Sequence, residues 1–491
     1  MPTASPPDPV PSGAVPRACW RLPDRPHLNH LRRQAKQLRR RALTADAEAV
    51  ELVERYDAGG GPITLARAQR VLARAYGFAG WSKLREHLDV LEVWGRDMDA
   101  TGPADGPVDA FLRVACLSYT EPSRAGEALA LLRADATLST ATAATMAACG
   151  EAAALRTLLE RHPAAVTTTS GPHAWPPLLY LCYARIGVGD PVATLRVLLE
   201  AGADPDAGFL WQRLSSAFTA VTGVLGGGER GEPAHPQAVE LVTRLLDAGA
   251  DPNDNQAFYN RQFRSDDSHL PPLLDHGAGR AHPSPWRRRL GSTYPSPEEM
   301  VGEHLRTAGA QGFTGRVELL LAHGVDPNTR GYHPVLGDQT AYELAIRNGH
   351  RDAAELLAAA GGRSDRLDGP DLLLSAVLAA DGEGIARWRD HADTLRTRRP
   401  DALRLAGELH GAESIAGLLD LGYGVDVAGP DGRTALHEAA LRGAAGLVEW
   451  LLDHGADPGV RDRDFAGTPA DWAEHSGHHA LAERLRTART T

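Results

Sequence analysis

The feature that most constrains this chain is a period. TALHEAALRGAAGLVEWLLDHGADP (Thr434–Pro458) is echoed 34 residues on by GTPADWAEHSGHHALAERL (Gly467–Leu485), with Thr434 on Thr468, Gly443 on Gly477 and Leu451 on Leu485. Within one copy, Thr434 is placed to cap a helix through its hydroxyl. Leu436, Ala439 and Ala440 give that helix an apolar stripe, and Gly443 ends it. Leu447, Val448, Leu451 and Leu452 form the stripe of a second helix. Gly455 stands where a helix-terminating glycine belongs, and Pro458 prevents continuation. Helices this short are marginal alone, since isolated helices below about 12–15 residues barely form in water. Each pair must therefore lean on a neighbour, and the neighbour must repeat.

Further copies satisfy that requirement. TAYELAIRNGHRDAAELLAAAGG (Thr340–Gly362) has the same form. A Leu-Leu pair before a Gly/Asp turn recurs at Val197–Asp206, Arg244–Asn253, Leu319–Asn328 and Leu418–Asp426. More degraded copies occupy Ala147–Pro163, Pro176–Ala184, Leu372–Arg396 and Leu403–Leu419. His437-Glu438 looks like the start of a zinc-protease HExxH motif. The second His is missing, however, because Leu441 occupies its position.

These residues resemble the ankyrin repeat across about residues 108–488. The resemblance implies an all-α fold: an α-solenoid of stacked ankyrin helix-turn-helix repeats, preceded by a small helical N-terminal segment. It also implies loops projecting as fingers beside a concave face that binds other proteins without catalysis.

Composition agrees with a folded array. The hydrophobic fraction is 43%, too high for global disorder, and the net charge of −11 disfavours a nucleic-acid binder as a whole. Residues 1–19 are Pro-rich, with six prolines in the first sixteen, and read as a disordered tail without the features of a secretory signal. Cys116, Cys149 and Cys182 fall 33 residues apart. Neighbouring helices pack about 8–10 Å apart, whereas a disulfide needs Cα atoms within about 7 Å. Small buried thiols in a reducing cytosol are therefore expected.

Residues 20–96 form the N-terminal segment, and a linker follows at 97–107. Leu28, Leu31, Ala35, Leu38 and Ala42 share one helical face, while six of the ten residues Arg32–Arg41 are basic. Acidic Asp46, Glu48, Glu51 and Glu54 are available to offset them. LARAQRVLARAYGFAGWSKLREHL (Leu65–Leu88) reads as two helices around a turn, loosely like a helix-turn-helix. The combination resembles a leader found ahead of ankyrin arrays in many bacterial proteins. The Ala/Arg/Gly-rich composition fits a bacterial, high-GC source.

The array, 108–491, is interrupted by GGGERGEPAHP (Gly226–Pro236) and by an irregular insertion at 253–312. Phe258, Tyr259, Trp286 and Tyr294 concentrate there in a chain with only 5% aromatics, and Arg287–Arg289 follow the Trp. Binding hot spots favour aromatic and Arg side chains. Partner contacts are accordingly expected from Phe209 and Trp211 in a finger, and from Tyr259, Arg264, Trp286 and Arg287.

The expected function is a non-catalytic, cytoplasmic protein–protein scaffold whose partner is an unidentified protein. It has no catalytic, cofactor or metal residues and no membrane association. One rival is a nucleic-acid-linked regulator using Arg32–Arg41 and Leu65–Leu88. Another is an enzyme sited in 253–312, built on Asp266, Asp267, His269, Asp275 and His276.

Overall fold

The computed structural model describes residues 20, 22–23, 26–57, 59–98, 106–331 and 336–488. The expected tail at 1–19 and most of the linker at 97–107 lie outside the described residues. The fold is all-α, a solenoid built from repeated short helix pairs, and three short strands form one sheet. The chain divides into two compact units, Met1–Met300 and Val301–Thr491.

The first unit opens with four helices: α1 (Leu28–Leu43), α2 (Ala47–Tyr56), α3 (Leu65–Ala75) and α4 (Trp81–Trp94). Asp46 caps α2 by accepting from Ala49 N at 3.1 Å, and Thr64 caps α3 by accepting from Arg67 N at 3.2 Å. The periodic face of α1 is the one that packs: Leu31, Ala35, Leu38 and Ala42 are buried. Two residues after α4 form β1 (Gly95–Arg96). This strand pairs in parallel with β2 (Gly208–Trp211), which pairs antiparallel with β3 (Ala217–Thr219). The leader is thus joined by backbone hydrogen bonding to a finger of the array.

Helix pairs follow at Ala143–Ala148 with Ala152–Arg161, Pro177–Tyr183 with Pro191–Glu200, and Ala220–Leu225 with Ala238–Asp247. The register does not stop at residue 253. Asn255–Arg261 and Leu270–Asp275 make a further pair that packs on the preceding one. Asn253 shows why: its Nδ2 donates to Arg280 O at 3.0 Å, and its Oδ1 accepts from Gly279 N at 2.9 Å. Asn328 does the same in the second unit, donating to Gly361 O at 3.1 Å and accepting from Arg363 N at 3.1 Å. The Asn of each Asp-Pro-Asn turn therefore staples one turn to the next. The first half of 253–312 is a repeat whose sequence pattern has decayed.

In the second unit the pairs run through Ala341–Arg347 with Arg351–Ala359, Gly369–Leu378 with Gly382–Trp388, Ala402–Leu409 with Ala412–Asp420, Ala435–Leu441 with Ala445–Asp453, and Pro469–His475 with His479–Ala488. Each first helix after Thr340, Asp368, Thr434 and Thr468 starts with a reciprocal capping box. Small residues let the pairs approach. A Cβ added to Gly407 would lie 3.0 Å from Ala435 Cα. Core leucines such as Leu374, Leu403, Leu418 and Leu451 are buried between layers.

Cys116, Cys149 and Cys182 are free and buried. Burial pushes the Cys149 thiol up to about 12. No helix among the described residues is long and apolar enough to cross a membrane.

Candidate interaction surfaces

The finger hairpin β2–β3 carries two of the residues expected to bind a partner. Phe209 is 1% exposed; its ring packs against Trp175 at 5.0 Å and Tyr183 at 5.7 Å. Trp286, also 1% exposed, donates from Nε1 to Asp206 O at 3.0 Å and meets Trp94 of α4 edge-on at 5.4 Å. Both are interior side chains and present no surface to a partner. Phe209 is covered by array side chains, whereas for Trp286 the reason is non-local: the leader docks there. Arg289 lies over both indoles, 4.0 Å from the Trp94 ring and 4.6 Å from that of Trp286. His87 on α4 reaches Ser215 Oγ at 3.1 Å, and burial depresses its pKa to about 4. Arg287 is half-buried, and its guanidinium donates to Pro295 O.

Trp211 and Tyr259 come together on one cleft of about 530 Å³. The hairpin supplies Trp211 and Phe218, helix Asn255–Arg261 supplies Gln256, Tyr259 and Asn260, and the loop Gly227–Glu232 closes the far side. Three consecutive glycines in that loop, Gly226, Gly227 and Gly228, have φ of +62°, +85° and +87°. A Cβ on Gly227 would fall 2.4 Å from Asn260 O, so the loop can lie directly on the helix only because it is glycine. Arg264 is exposed and lies over Gly231. Phe263, 5.2 Å from Tyr259 ring to ring, extends the aromatic surface outward.

The acidic and histidine residues of 262–276 do not converge. His276 turns back to Asp247 at 3.0 Å, Asp266 pairs with Arg261, and His269 is wholly buried. Among the described residues, no group of three such side chains could hold a metal ion. In the leader, Arg41 is held by Asp46 at 2.8 Å and Glu48 at 2.7 Å. Asp57 gathers Arg67 at 3.2 Å and Arg70 at 2.9 Å. Part of the basic character of both helical segments is thus spent on internal pairing.

A surface that periodicity did not single out lies in the last finger. Phe465 is 76% exposed, the most exposed large hydrophobic side chain among the described residues. Asp462 builds its loop. One carboxylate oxygen accepts from Asp464 N at 2.9 Å and Phe465 N at 2.7 Å, and the other from Gly467 N at 3.0 Å and Trp472 Nε1 at 2.8 Å. Burial pushes this carboxyl up, but these donors outweigh it and hold the group below its usual range. Phe465 meets Trp472 edge-on at 5.7 Å, Trp472 meets His475 at 6.5 Å, and Arg433 stacks over Trp472 at 5.2 Å. A cavity of about 490 Å³ opens between Phe465, Arg461, Asp471 and His475. The available signal was a Phe in a polar finger loop, RDRDFAG, three residues before a capping Thr.

Comparison with known proteins agrees with this architecture. Residues 418–473 match the family described as ankyrin repeats (many copies). Human ARF GTPase-activating protein GIT2 is 43% identical over 74 residues, and human ARF GTPase-activating protein GIT1 is 45% identical over the same length. The rat GIT1 protein matches at 45%. Each match covers 15% of this chain and 10% of the relative, so the chain spans about a tenth of the length of the curated relatives it matches. The chain carries ankyrin repeats.

Proposed function

We propose that this chain is a non-catalytic recognition module that binds a partner protein through its finger loops, in the cytoplasm of a bacterial-type cell. Ankyrin repeats in general serve protein partners, and the recurrent helix pairs here act as a rigid support for variable loops. The observation that carries the reading is Phe465. A phenyl ring left 76% exposed, on a loop held rigid by four donors to Asp462 and backed by Trp472, has the form of a preorganised hot spot. Most of this ring lies in water, and covering it on association would release about 1.5–3 kcal/mol. Trp211, Tyr259 and Arg264 offer a second contact region on the first unit.

The test is affinity capture from source cells with the full chain and with Phe465→Ala as baits. A protein retained by the first and lost with the second, while both baits melt alike, supports the reading. Identical captured sets would count against it.

A further inference from the structure

The leader carries a charge opposite to that of the chain it belongs to. Residues 20–96 hold fifteen Lys and Arg against nine Asp and Glu, a net of +6, in a chain whose net charge is −11. The structure segregates that excess further. Asp46 and Glu48 are engaged by Arg41, Asp57 by Arg67, Arg70 and Arg74, and Glu86 by Lys83. On α1 this leaves Arg32, Arg33, Lys36, Arg39 and Arg40, all exposed and without an ion pair among the described residues. Arg32 reaches Asn29 Oδ1 at 3.2 Å and Arg39 reaches Ile63 O at 3.2 Å, both uncharged acceptors. An α-helix turns about 100° per residue, so these five cations fall within an arc of about 120° and span about 12 Å of helix axis. The arc points away from the packed face, which is that of Leu31, Ala35, Leu38 and Ala42.

Five uncompensated cations on one rigid face call for a polyanion, and the chemistry of the face selects which. Exposed ion pairs with carboxylates are individually weak, because both side chains lose rotamer freedom in water, so an acidic protein segment gains little here. A nucleic-acid duplex carries one charge per about 1.7 Å of axis and a condensed counterion layer, whose release on neutralisation drives binding. Four of the five cations are Arg, whose planar fork matches phosphate oxygens two at a time. A helix enters a membrane surface by its apolar face, and that face of α1 is buried in the leader's core, with Leu43 alone left exposed on this helix. Single strands are held by bases stacked on aromatic rings, and the stripe has none. The helix-turn-helix-like pair α3–α4 is not the contact either: α4 is committed to the array through His87 and Trp94, and its exposed Arg85 stands beside Asp89 and Glu92.

We propose that the exposed face of α1 binds the phosphate backbone of duplex nucleic acid through Arg32, Arg33, Lys36, Arg39 and Arg40. Contacts to phosphate fix position and carry no sequence information directly, so this binding is independent of sequence. The acidic array does not prevent it, because at physiological ionic strength the fields of exposed charges decay over about 8 Å. The contact is separate from protein recognition at Phe465 and does not depend on it.

The experiment is fluorescence anisotropy of a short labelled DNA duplex of random sequence, titrated with the full chain at salt concentrations from about 50 to 200 mM. Poly-glutamate and phosphatidylserine vesicles serve as competitors of equal total charge. The expected result is saturable binding at the low end, weakening with salt at a logarithmic slope of about −3 to −4.5, as for four or five phosphates. Arg32→Gln, Arg33→Gln, Lys36→Gln, Arg39→Gln and Arg40→Gln together should weaken it about tenfold or more. Arg33→Gln with Lys36→Gln alone should make the slope shallower by about 2. An array variant that loses the same charge, Arg133→Gln, Arg161→Gln, Arg196→Gln, Arg363→Gln and Arg387→Gln, should bind within about threefold of the wild type. All these side chains are exposed and Gln is a helix former close to Arg, so thermal melts should agree, and the double variant keeps the test if the larger one does not fold. No binding of the duplex at the lowest salt would overturn the proposal. So would an unchanged slope in the folded double variant, an equal loss in the array variant, or displacement of the duplex by poly-glutamate or by the vesicles.

Discussion

His437 Nε2 donates to the carbonyl of Gly467, one repeat ahead, at 3.2 Å, while its Nδ1 accepts from Thr434 N at 3.2 Å. One buried imidazole thus closes the capping box of its own helix and ties down the loop of the next. His437→Ala removes both bonds. It should cost about 1–3 kcal/mol, the sum expected for a lost cap and an unpaired buried carbonyl. Urea unfolding gives the loss, and hydrogen exchange should localise it to Thr434 N and the start of helix Pro469–His475.

Close approach between pairs predicts opposite signs for two glycines. Gly407→Ala puts a methyl 3.0 Å from Ala435 Cα and O, and should destabilise by about 1–3 kcal/mol as overpacking. Gly446 is exposed, with nothing within 4 Å of an added Cβ, so Gly446→Ala should stabilise its helix by up to about 1 kcal/mol. Thermal unfolding of the two variants, side by side, checks both signs.

The helix pairs that carry both outcomes were legible in the sequence. Thr434, Gly443, Leu451 and their echoes announce helix pairs because capping, helix termination and apolar stripes are local. The leader's helices were legible for the same reason. Trp286 was not: only the docking of Trp94 and the pairing of β1 with β2 make it interior, and two-residue strands leave no periodic trace. The helix pair at 255–275 escaped because its register is kept by the side chain of Asn253 rather than by a repeated motif. Phe465 escaped because periodicity reports what is buried, and a finger tip has no period.

The leader's attachment depends on the stack Trp94–Arg289–Trp286. Trp94→Ala removes one cation–π face and one edge-to-face pair, about 1–2 kcal/mol in total. The expected outcome is faster limited proteolysis and faster amide exchange in residues 81–96, with helix pairs beyond residue 300 unaffected.

His350 and His410 stack at 5.3 Å, and each Nε2 donates to a backbone carbonyl, Ala310 O at 3.1 Å and Asn348 O at 2.6 Å. Burial, then the neighbouring imidazole, depresses His350 to about 4; burial also lowers His410. The unfolded chain protonates these groups near pH 6.5, before the folded chain does. The contribution of His350 to stability is therefore complete above about pH 6.5 and is lost as pH falls from there toward 4, with a slope of about 1.4 kcal/mol per pH unit, and His410 acts in the same direction. Comparing denaturation midpoints of the wild type and His350→Gln between pH 7 and 4.5 should show a shallower acid loss in the variant.

The most direct test of protein recognition is the dissociation constant of a captured partner for the wild type and for Phe465→Ala. The account predicts weakening of about thirtyfold or more, the equivalent of about 2 kcal/mol at a hot spot, with an unchanged melting temperature. Equal affinities for two equally folded chains would contradict it.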